Sequence, residues 1–507
     1  MKIRVGIICA CVLLVVCPVA GVGAERFDTS LQPLVRVVDL DLGQTSTVRL
    51  CDGSQVAVQL AALDEKRDRV CNAVRQATVT LRINGHETQL VAARYHLPKQ
   101  VAGVQVDCAI TRGYLSNSKS RSWGLDRAAR IRLWPSGSPW IRPETFHYPV
   151  RQRWFATLTQ MANVPVYVDG GEIPGPRSIY YHSGLDFGGA EGLVDVQAAT
   201  DGLVVSARGK VLDDYASDTP VSPRYDVVYV LDHRGWCYRY SHLQTIAPMV
   251  QLGKVIKMGD AIGVLGKEGA SGGWSHTHFE IKCRQPSGKW GTQQAYAFAW
   301  QAYLREFHPR VIAVARPHHL VTVGQPVVLD AAKSWAASGA IVNTEWLLAD
   351  GAVAAPTVQR VYAQPGMYSE PVRVTDNLGK VDYDFAVVQV IDLHQADRLP
   401  PTIHIAYAPT FGIGPGTVIT FKVRSFRTTS PATETIDFGD GSPVVTVHSD
   451  GNADAHAKNG YAATTHAFAK PGDYIVTART TNAYGWTATQ RLIVHVKKCR
   501  GGAANSN

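Results

Sequence analysis

Residues 275–281 read Ser-His-Thr-His-Phe-Glu-Ile and follow a glycine-rich stretch at 266–273. We predict that this run forms a strand. Because residues two apart on a strand project to the same face, the imidazoles of His276 and His278 can reach one point. Such a pair also occurs by chance and in unrelated metal sites, so it is weak evidence of function by itself.

Two other pieces of the chain carry the same residue types. His182 and Asp186 lie four residues apart, and Gly184 and Gly188 argue against a helix there. On an extended segment this spacing also gives one face, although a buried hydrogen-bonded couple without a ligand fits the pattern equally well. The third piece is Tyr-Ser-His-Leu at 240–243.

Together the pieces hold four histidines and one aspartate. A catalytic zinc usually takes three ligands of the imidazole and carboxylate type and leaves the fourth position for water. Two histidines would then be free for proton transfer. The chain has no His-Glu-x-x-His motif, which leaves this work to imidazole.

The order of these pieces, with strand-like sequence between them, resembles the lysostaphin/LytM-type zinc metallopeptidases. The resemblance covers about residues 164–283 and implies an antiparallel β-sheet domain that binds one Zn²⁺. Members of this family mostly cut peptide bonds in bacterial peptidoglycan through a zinc-activated water. The site residues that the resemblance implies are three metal ligands, His182, Asp186 and His278, and two catalytic histidines, His242 and His276.

Two residues near the histidine pair depart mildly from the family's pattern. Thr277 stands where leucine is common in the family, and Trp274 occupies the loop just before the pair. Trp274 either walls a substrate subsite or is a packed loop aromatic. Glu280 is expected to support the metal ligands or the framework of the strand rather than to act in catalysis.

An internal repeat follows Pro309. The first copy contains Trp-Leu-Leu-Ala-Asp-Gly at 346–351 and the second Ile-Asp-Phe-Gly-Asp-Gly at 436–441, and the equally long stretches 368–379 and 474–485 both run from Tyr to Gly. The copies resemble polycystic-kidney-disease (PKD) domains, which are immunoglobulin-like β-sandwiches, although the second lacks the usual tryptophan and carries an insertion. The resemblance implies attachment to a surface polymer or protein, or a folded spacer without a ligand.

The rest of the chain also has a β pattern. Alternating runs such as 78–83, bounded by turn signals such as Asn84-Gly85, predict a β-rich N-terminal domain. A short helical connection is predicted around 152–162. The fold class is therefore mainly β, with several domains. The predicted boundaries are a signal peptide at 1–24, the β-rich N-terminal domain at 25–149, the LytM-type zinc peptidase domain at 150–308, PKD-like domains at 309–395 and 396–499, and a disordered tail at 500–507.

The first residues have the features of an export signal. Lys2 and Arg4 precede an apolar run at 5–20, and Val-Gly-Ala at 22–24 forms a small-residue cleavage site. The apolar run is short for a spanning helix and no second one follows, so we expect no stable membrane span. We expect an exported protein that is periplasmic, bound to the cell surface or extracellular.

Cysteine usage and charge give two further expectations. An exported chain permits disulfides, and a register that sets His242 opposite His278 would also set Cys237 opposite Cys283 as a hypothetical pair. The formal charge of +9 favours binding to anionic surfaces such as wall polymers or lipid headgroups. Alternatively, the charge simply keeps the protein soluble. No basic block with interleaved aromatics occurs, so we expect no nucleic-acid partner.

The leading hypothesis is a secreted zinc endopeptidase that acts on peptidoglycan cross-links or stem peptides. One alternative is a non-catalytic LytM-like regulator of another wall hydrolase, although such modules typically lose metal ligands and this chain keeps all of them. A second is a peptidase of glycine-rich proteins. A third is an adhesion protein led by its PKD-like tail.

Overall fold

The computed structural model is mainly β and multidomain, as predicted, with 37 strands and two α-helices in the part of the chain that it describes. No helix in that part is long and apolar enough to span a membrane. The predicted signal peptide, the predicted tail and Cys499 lie outside the described residues. The described residues are 27–116, 118, 121–159, 162, 165–167, 179–217, 219–395 and 397–498.

The N-terminal domain consists of two four-stranded antiparallel sheets around a shared apolar core. One sheet has the order β1-β8-β7-β6 and the other β2-β3-β4-β5. The predicted Asn84-Gly85 turn joins β4 to β5, and both residues have positive φ, as tight hairpin turns require. The elements are β1 (Arg36–Leu40), β2 (Thr45–Arg49), β3 (Gln55–Arg67), β4 (Val74–Ile83), β5 (His86–Val91), β6 (Lys99–Val101), β7 (Val104–Thr111), α1 (Arg112–Leu115) and β8 (Ala129–Pro135).

The following segment contains the predicted motifs on a sheet of order β11-β20-β16-β15-β13-β14, with a second sheet of order β12-β19-β17. Its elements are β9 (Pro165–Tyr167), β10 (Ile179–Tyr181), β11 (Leu185–Gly188), β12 (Asp195–Gln197), β13 (Gly202–Ala207), β14 (Lys210–Val211), a 3₁₀ turn (Asp213–Tyr215), β15 (Val228–Asp232), β16 (Cys237–Ser241), β17 (Leu243–Ile246), β18 (Val255–Ile256), β19 (Ala261–Leu265), β20 (His276–Arg284), β21 (Trp290–Gln293) and α2 (Tyr296–Phe307).

The sequence patterns were misleading in two places. Residues 151–159 form turns instead of the predicted helical connection. Conversely, α2 occupies a stretch in which the β pattern was expected to continue. Nearly every side chain of α2 up to Tyr303 is buried, so the helix shows no polar stripe to reveal its period. It ends at Phe307, and the next residue, His308, adopts a left-handed conformation before Pro309.

The hypothetical disulfide between Cys237 and Cys283 is wrong. In the pairing of β16 with β20, Cys237 lies opposite Lys282. A register offset of one residue turns a side chain to the other face of the sheet. Cys237 accordingly packs in a small cluster on one face, Cys283 belongs to the main core on the other, and both are free thiols.

The repeat forms two β-sandwiches, as predicted. They join edge to edge, because β29 pairs in parallel with β37 at Met367 and Ala488 to make one continuous nine-stranded sheet. The boundaries between all domains stay predictions. The elements are β22 (Val311–Ile312), β23 (His319–Thr322), β24 (Val327–Asp330), β25 (Trp335–Ala336), β26 (Ile341–Leu348), β27 (Gly351–Ala354), β28 (Thr357–Arg360), β29 (Gly366–Asp376), β30 (Val381–Ile391), a 3₁₀ turn (Leu393–Gln395), β31 (Thr402–Ala408), β32 (Ile419–Phe426), β33 (Glu434–Asp437), β34 (Val445–Val447), β35 (Ala462–His466), β36 (Gly472–Thr481) and β37 (Thr487–Val496).

Candidate metal centre

Two adjacent antiparallel strands, β11 and β20, carry three of the predicted site residues. Their register sets Asp186 opposite His278 and Gly188 opposite His276. His276 and His278 therefore project to one face, which Asp186 shares from the neighbouring strand. His182 precedes β11 in the chain and comes directly after Tyr181, whose ring packs in the N-terminal domain against Tyr114 at 4.6 Å.

Gly184 lets the His182 segment approach β20. Its φ is +115°, and a Cβ there would lie 2.6 Å from the backbone oxygen of Phe279 and 3.3 Å from Cε1 of His278. A side chain at this position would be strained and would also clash with backbone. Glycine therefore allows His182 to fold back over Asp186 and His278.

The donor atoms of the three predicted ligands form a compact triangle. Nε2 of His182 lies 2.9 Å from Nδ1 of His278 and 3.1 Å from Oδ1 of Asp186, and the latter two atoms are 2.9 Å apart. Two imidazole nitrogens and one carboxylate oxygen are a usual donor set for a catalytic zinc, whose bonds are about 2.0–2.2 Å long. Among the described residues this is the group of three able to hold a metal ion.

The triangle is buried, and its electrostatics favour a charged carboxylate. Burial alone would raise the pKa of Asp186, but the neighbouring imidazoles of His182 and His276 and hydrogen bonds from His182 and His278 hold it well below its usual range. Burial also disfavours the charged form of His278, but its hydrogen bond to Asp186 and the nearby carboxylate of Glu280 raise its pKa. A cation at the triangle would therefore meet an ionised carboxylate.

His242 lies beside the triangle, just after β16. Ser241, not His242, is paired with His278, so the expected cross-strand pairing is off by one residue. The chain turns at His242, whose φ is +66°. This turn brings its ring to 4.6 Å from the ring of His276 and 6.3 Å from that of His278. The structure thus brings all five predicted site residues together.

The hydrogen bonds of His242 and His276 indicate their tautomers. Nδ1 of His242 lies 2.6 Å from the backbone oxygen of Glu268, and Nδ1 of His276 lies 2.9 Å from that of Trp274. A carbonyl oxygen can only accept, so each Nδ1 carries a proton. In the neutral rings, Nε2 is then the proton acceptor. Burial lowers the pKa of His242 and lowers that of His276 to about 4, so both are neutral at pH 7.

Sequence reasoning missed Asp226, which holds His242. Its Oδ2 accepts the backbone N–H of His242 at 3.0 Å, and Arg224 binds the same carboxylate through two hydrogen bonds of 2.9 and 2.6 Å. The hairpin of β15 and β16 is the signal that could have revealed it. Val228 pairs with Tyr240, and extending this register by two residues sets Asp226 opposite His242.

Glu280 supports the triangle, as expected. It is buried, its Oε1 accepts from Oγ1 of Thr292 at 2.8 Å, and its Oε2 lies 3.9 Å from Nε2 of His278. Burial raises the pKa of Glu280, but Lys282 and His278 outweigh this effect and lower it below its usual range. An anionic Glu280 stabilises a proton on the outer nitrogen of His278 and so leaves Nδ1 free to bind a metal.

Trp274 is a packed aromatic, one of the two alternatives from the sequence. Its ring stacks on Phe426 of the second PKD-like domain, with centroids 4.2 Å apart and planes within 5°. This contact joins the loop before His276 to a domain more than a hundred residues further along the chain.

Comparisons with known families find a peptidase segment followed by two PKD segments. Residues 180–289 match peptidase family M23, and residues 308–390 and 403–495 each match a PKD domain family. A comparison with curated proteins found no match.

Comparisons with solved structures found similar chains of low identity. The catalytic domain of an A109H mutant of the prophage-encoded M23 protein EnpA from Enterococcus faecalis is 22% identical, with 25% of this chain and 86% of that chain covered and a TM-score of 0.18. Csd3 from Helicobacter pylori is 13% identical, with 52% and 80% covered and a TM-score of 0.20. Fibronectin(III)-like modules of CbhA from Clostridium thermocellum are 12% identical, with 39% and 99% covered and a TM-score of 0.16.

Proposed function

Because the chain contains an M23 peptidase domain followed by two PKD domains, we propose that it is a secreted zinc-dependent endopeptidase that hydrolyses peptide bonds in peptidoglycan cross-links or stem peptides. The observation that carries the proposal is the donor triangle, whose edges are 2.9–3.1 Å long, together with the two imidazoles beside it. A merely structural cluster would not need two further neutral histidines at its edge.

In this proposal Nε2 of His182, Oδ1 of Asp186 and Nδ1 of His278 hold one zinc ion. The ion, when bound, supplies a Lewis acid that polarises the scissile carbonyl and lowers the pKa of water to about 7. The residues of the chain determine the position of the ion. Asp186 contributes the negative charge of the donor set, and Glu280 orients His278.

His242 and His276 move the protons. Each ring keeps its Nδ1–H on a backbone carbonyl, so Nε2 is the atom that takes a proton from the attacking water and returns one to the leaving amine. Their proximity, with ring centroids 4.6 Å apart, lets both face the same reacting groups. A positioned acid or base of this kind accelerates a reaction about 10²–10⁴-fold.

The proposed substrate and location follow from the family and the export pattern. Cell-wall peptide is the substrate that an M23 peptidase domain suggests, and the apolar run at 5–20 supports export to the compartment that contains it. The formal charge of +9 attracts anionic wall polymers. The PKD domains support a further role in surface attachment.

Digestion of purified murein tests the proposal. The wild-type chain should hold about one zinc and release peptides, whereas His278→Ala should lose both properties. His394→Ala is a matched control, because His394 is exposed in the 3₁₀ turn between the two PKD-like sandwiches. Mass spectrometry of the released peptides identifies the bond. A wild-type chain with less than one zinc and no cleavage would instead support the non-catalytic regulator, and cleavage of a glycine-rich protein but not murein would change the substrate.

A further inference from the structure

Residues 272–275, which we call the approach loop, run directly into His276, and the second PKD domain contacts each of them. Each of the four consecutive residues makes one such contact. Gly272 O accepts from Nδ2 of Asn452 (3.3 Å), Gly273 O accepts from Nη1 of Arg424 (2.9 Å), Trp274 stacks on Phe426 (4.2 Å between centroids), and Ser275 N–H donates to the hydroxyl of Tyr461 (2.9 Å).

The fit at Gly273 is close. Its φ is +85°, and a Cβ there would lie 2.0 Å from Oδ1 of Asn452 and 2.8 Å from Nη1 of Arg424. Only glycine combines this backbone conformation with such an approach by another domain. The loop and the PKD surface are therefore shaped to each other.

Arg424 is the centre of the contact. It is fully buried, and Asp450 accepts from its Nε at 2.7 Å and from its Nη2 at 2.5 Å. Nη2 also donates to the backbone oxygen of Asp454 at 2.7 Å. A buried guanidinium is stable only when its N–H groups are paired, and here the pairing is completed by Gly273 O of the peptidase domain.

Part of this contact surface is a segment that occurs in only one copy of the repeat. In the first PKD domain only residues 355–356 separate β27 from β28, whereas residues 448–461 separate β34 from β35 in the second. This is the insertion noted in the sequence. It contains Asp450, Asn452 and Tyr461, so the added residues carry much of the contact with the approach loop.

The approach loop acts directly on His276. The backbone oxygen of Trp274 accepts from Nδ1 of His276 at 2.9 Å and so fixes both the tautomer and the orientation of the ring. The position of this oxygen depends on the neighbouring residues of the loop. The stacking of Trp274 on Phe426 and the hydrogen bond between Ser275 and Tyr461 flank it on both sides.

We propose that the second PKD domain is a positioning element of the active site, which holds the approach loop and thereby orients His276, with Tyr461 and Phe426 as positioning residues. The expected effect on catalysis rests on the proposed function. Its structural part, that the domain restrains the loop, stands independently. The tail is then part of the catalytic unit rather than a tether alone.

Tyr461→Phe in the full chain tests the proposal with little change of shape. The substitution removes the acceptor of Ser275 N–H, together with the hydroxyl that pairs with Nδ1 of His404, and keeps the ring. Tyr474→Phe is the matched control, because the Tyr474 hydroxyl donates to Lys470 O within the same PKD domain. Hydrogen exchange of a peptide spanning 272–276 should accelerate about five- to tenfold in Tyr461→Phe and stay unchanged in the control.

Murein digestion supplies the kinetic readout. The kcat of Tyr461→Phe should fall about tenfold at unchanged KM and unchanged zinc content, because a displaced catalytic group affects turnover more than binding. Phe426→Ala should repeat both effects. Unchanged exchange in the loop, or a higher kcat that reveals an inhibitory contact, would overturn the inference. If the wild-type chain cleaves no murein, the proposed function fails, and the exchange experiment alone decides whether the domain positions the loop.

Discussion

The backbone N–H of His242 donates to Oδ2 of Asp226 at 3.0 Å, at a residue whose φ is +66°. A left-handed conformation costs a non-glycine residue about 1–2 kcal/mol, so something must hold it. Burial raises the pKa of Asp226, but hydrogen bonds from His242 and Arg224 lower it below its usual range, so the carboxylate is charged at neutral pH. Asp226 therefore fixes the turn that aims His242 at the site.

Asp226→Ala should lower the kcat for murein cleavage about 10²-fold, since displacement of a catalytic group by about 1 Å has an effect of this size. Zinc content should not change, because Asp226 is not among the three residues of the triangle. Asp195→Ala, which removes an exposed carboxylate from the same domain, should leave kcat unaltered. Full activity of Asp226→Ala would show that His242 holds its conformation without the carboxylate.

The sequence predicted which residues gather at the site but not how every strand pairs. The i, i+2 spacing of His276 and His278 was sufficient to place both on one face of β20. The pairing of Ser241 with His278 was not readable, because β16 and β20 are not joined by a short turn that fixes their register. By contrast, β15 and β16 form a hairpin, and its short turn fixes the register that brings Asp226 opposite His242.

Contacts between domains could not be predicted from the sequence patterns. Periodicity reports which face of an element is buried, but it does not report what covers that face. The aromatic character of Trp274 was compatible with a substrate subsite and with packing, and only the fold shows that Phe426 is its partner. The repeat was identified from its motifs, whereas the pairing of β29 with β37 depends on tertiary structure alone.

Gly184→Ala should destabilise the chain and weaken zinc binding, because the new Cβ would lie 2.6 Å from Phe279 O and would push His182 away from the triangle. Gly259→Ala is the control for backbone strain, since Gly259 has φ +86° and no heavy atom within 4 Å of such a Cβ. Each variant should lose about 1 kcal/mol from the strained φ, and Gly184→Ala should lose more. Equal unfolding free energies and equal zinc affinities for the two would contradict the steric argument.

Glu280→Gln should reduce zinc affinity about 10–100-fold, the usual effect of replacing a group that orients a metal-binding histidine. The amide keeps the shape of the side chain and removes its charge, so the hydrogen bond from Thr292 can persist while the support of His278 weakens. Competition with a chelator measures the affinity. Glu87→Gln, at an exposed pair in the N-terminal domain, should bind zinc like the wild type.

Asp382→Asn should alter the dependence of stability on pH. Asp382 accepts from Arg153 at 2.9 Å and from the backbone N–H of Ala313 at 2.9 Å, and lies 3.3 Å from Nε2 of His495, so it joins the peptidase side to both sandwiches. Burial raises its pKa, but Arg153 and His495 outweigh burial and hold it below 3.8.

Because the carboxyl of Asp382 has a lower pKa in the folded state, the unfolded chain takes up its proton first as the pH falls, and stability is lost below about pH 4. Asp382→Asn should be about 3 kcal/mol less stable at pH 7, since Arg153 loses its charged partner in a buried site. It should then lose less further stability than the wild type between pH 5 and pH 3. Urea unfolding at several pH values measures both effects, with the exposed Asp64→Asn as control. Parallel stability curves for Asp382→Asn and wild type would mean that Asp382 has the same pKa in the folded and unfolded chain.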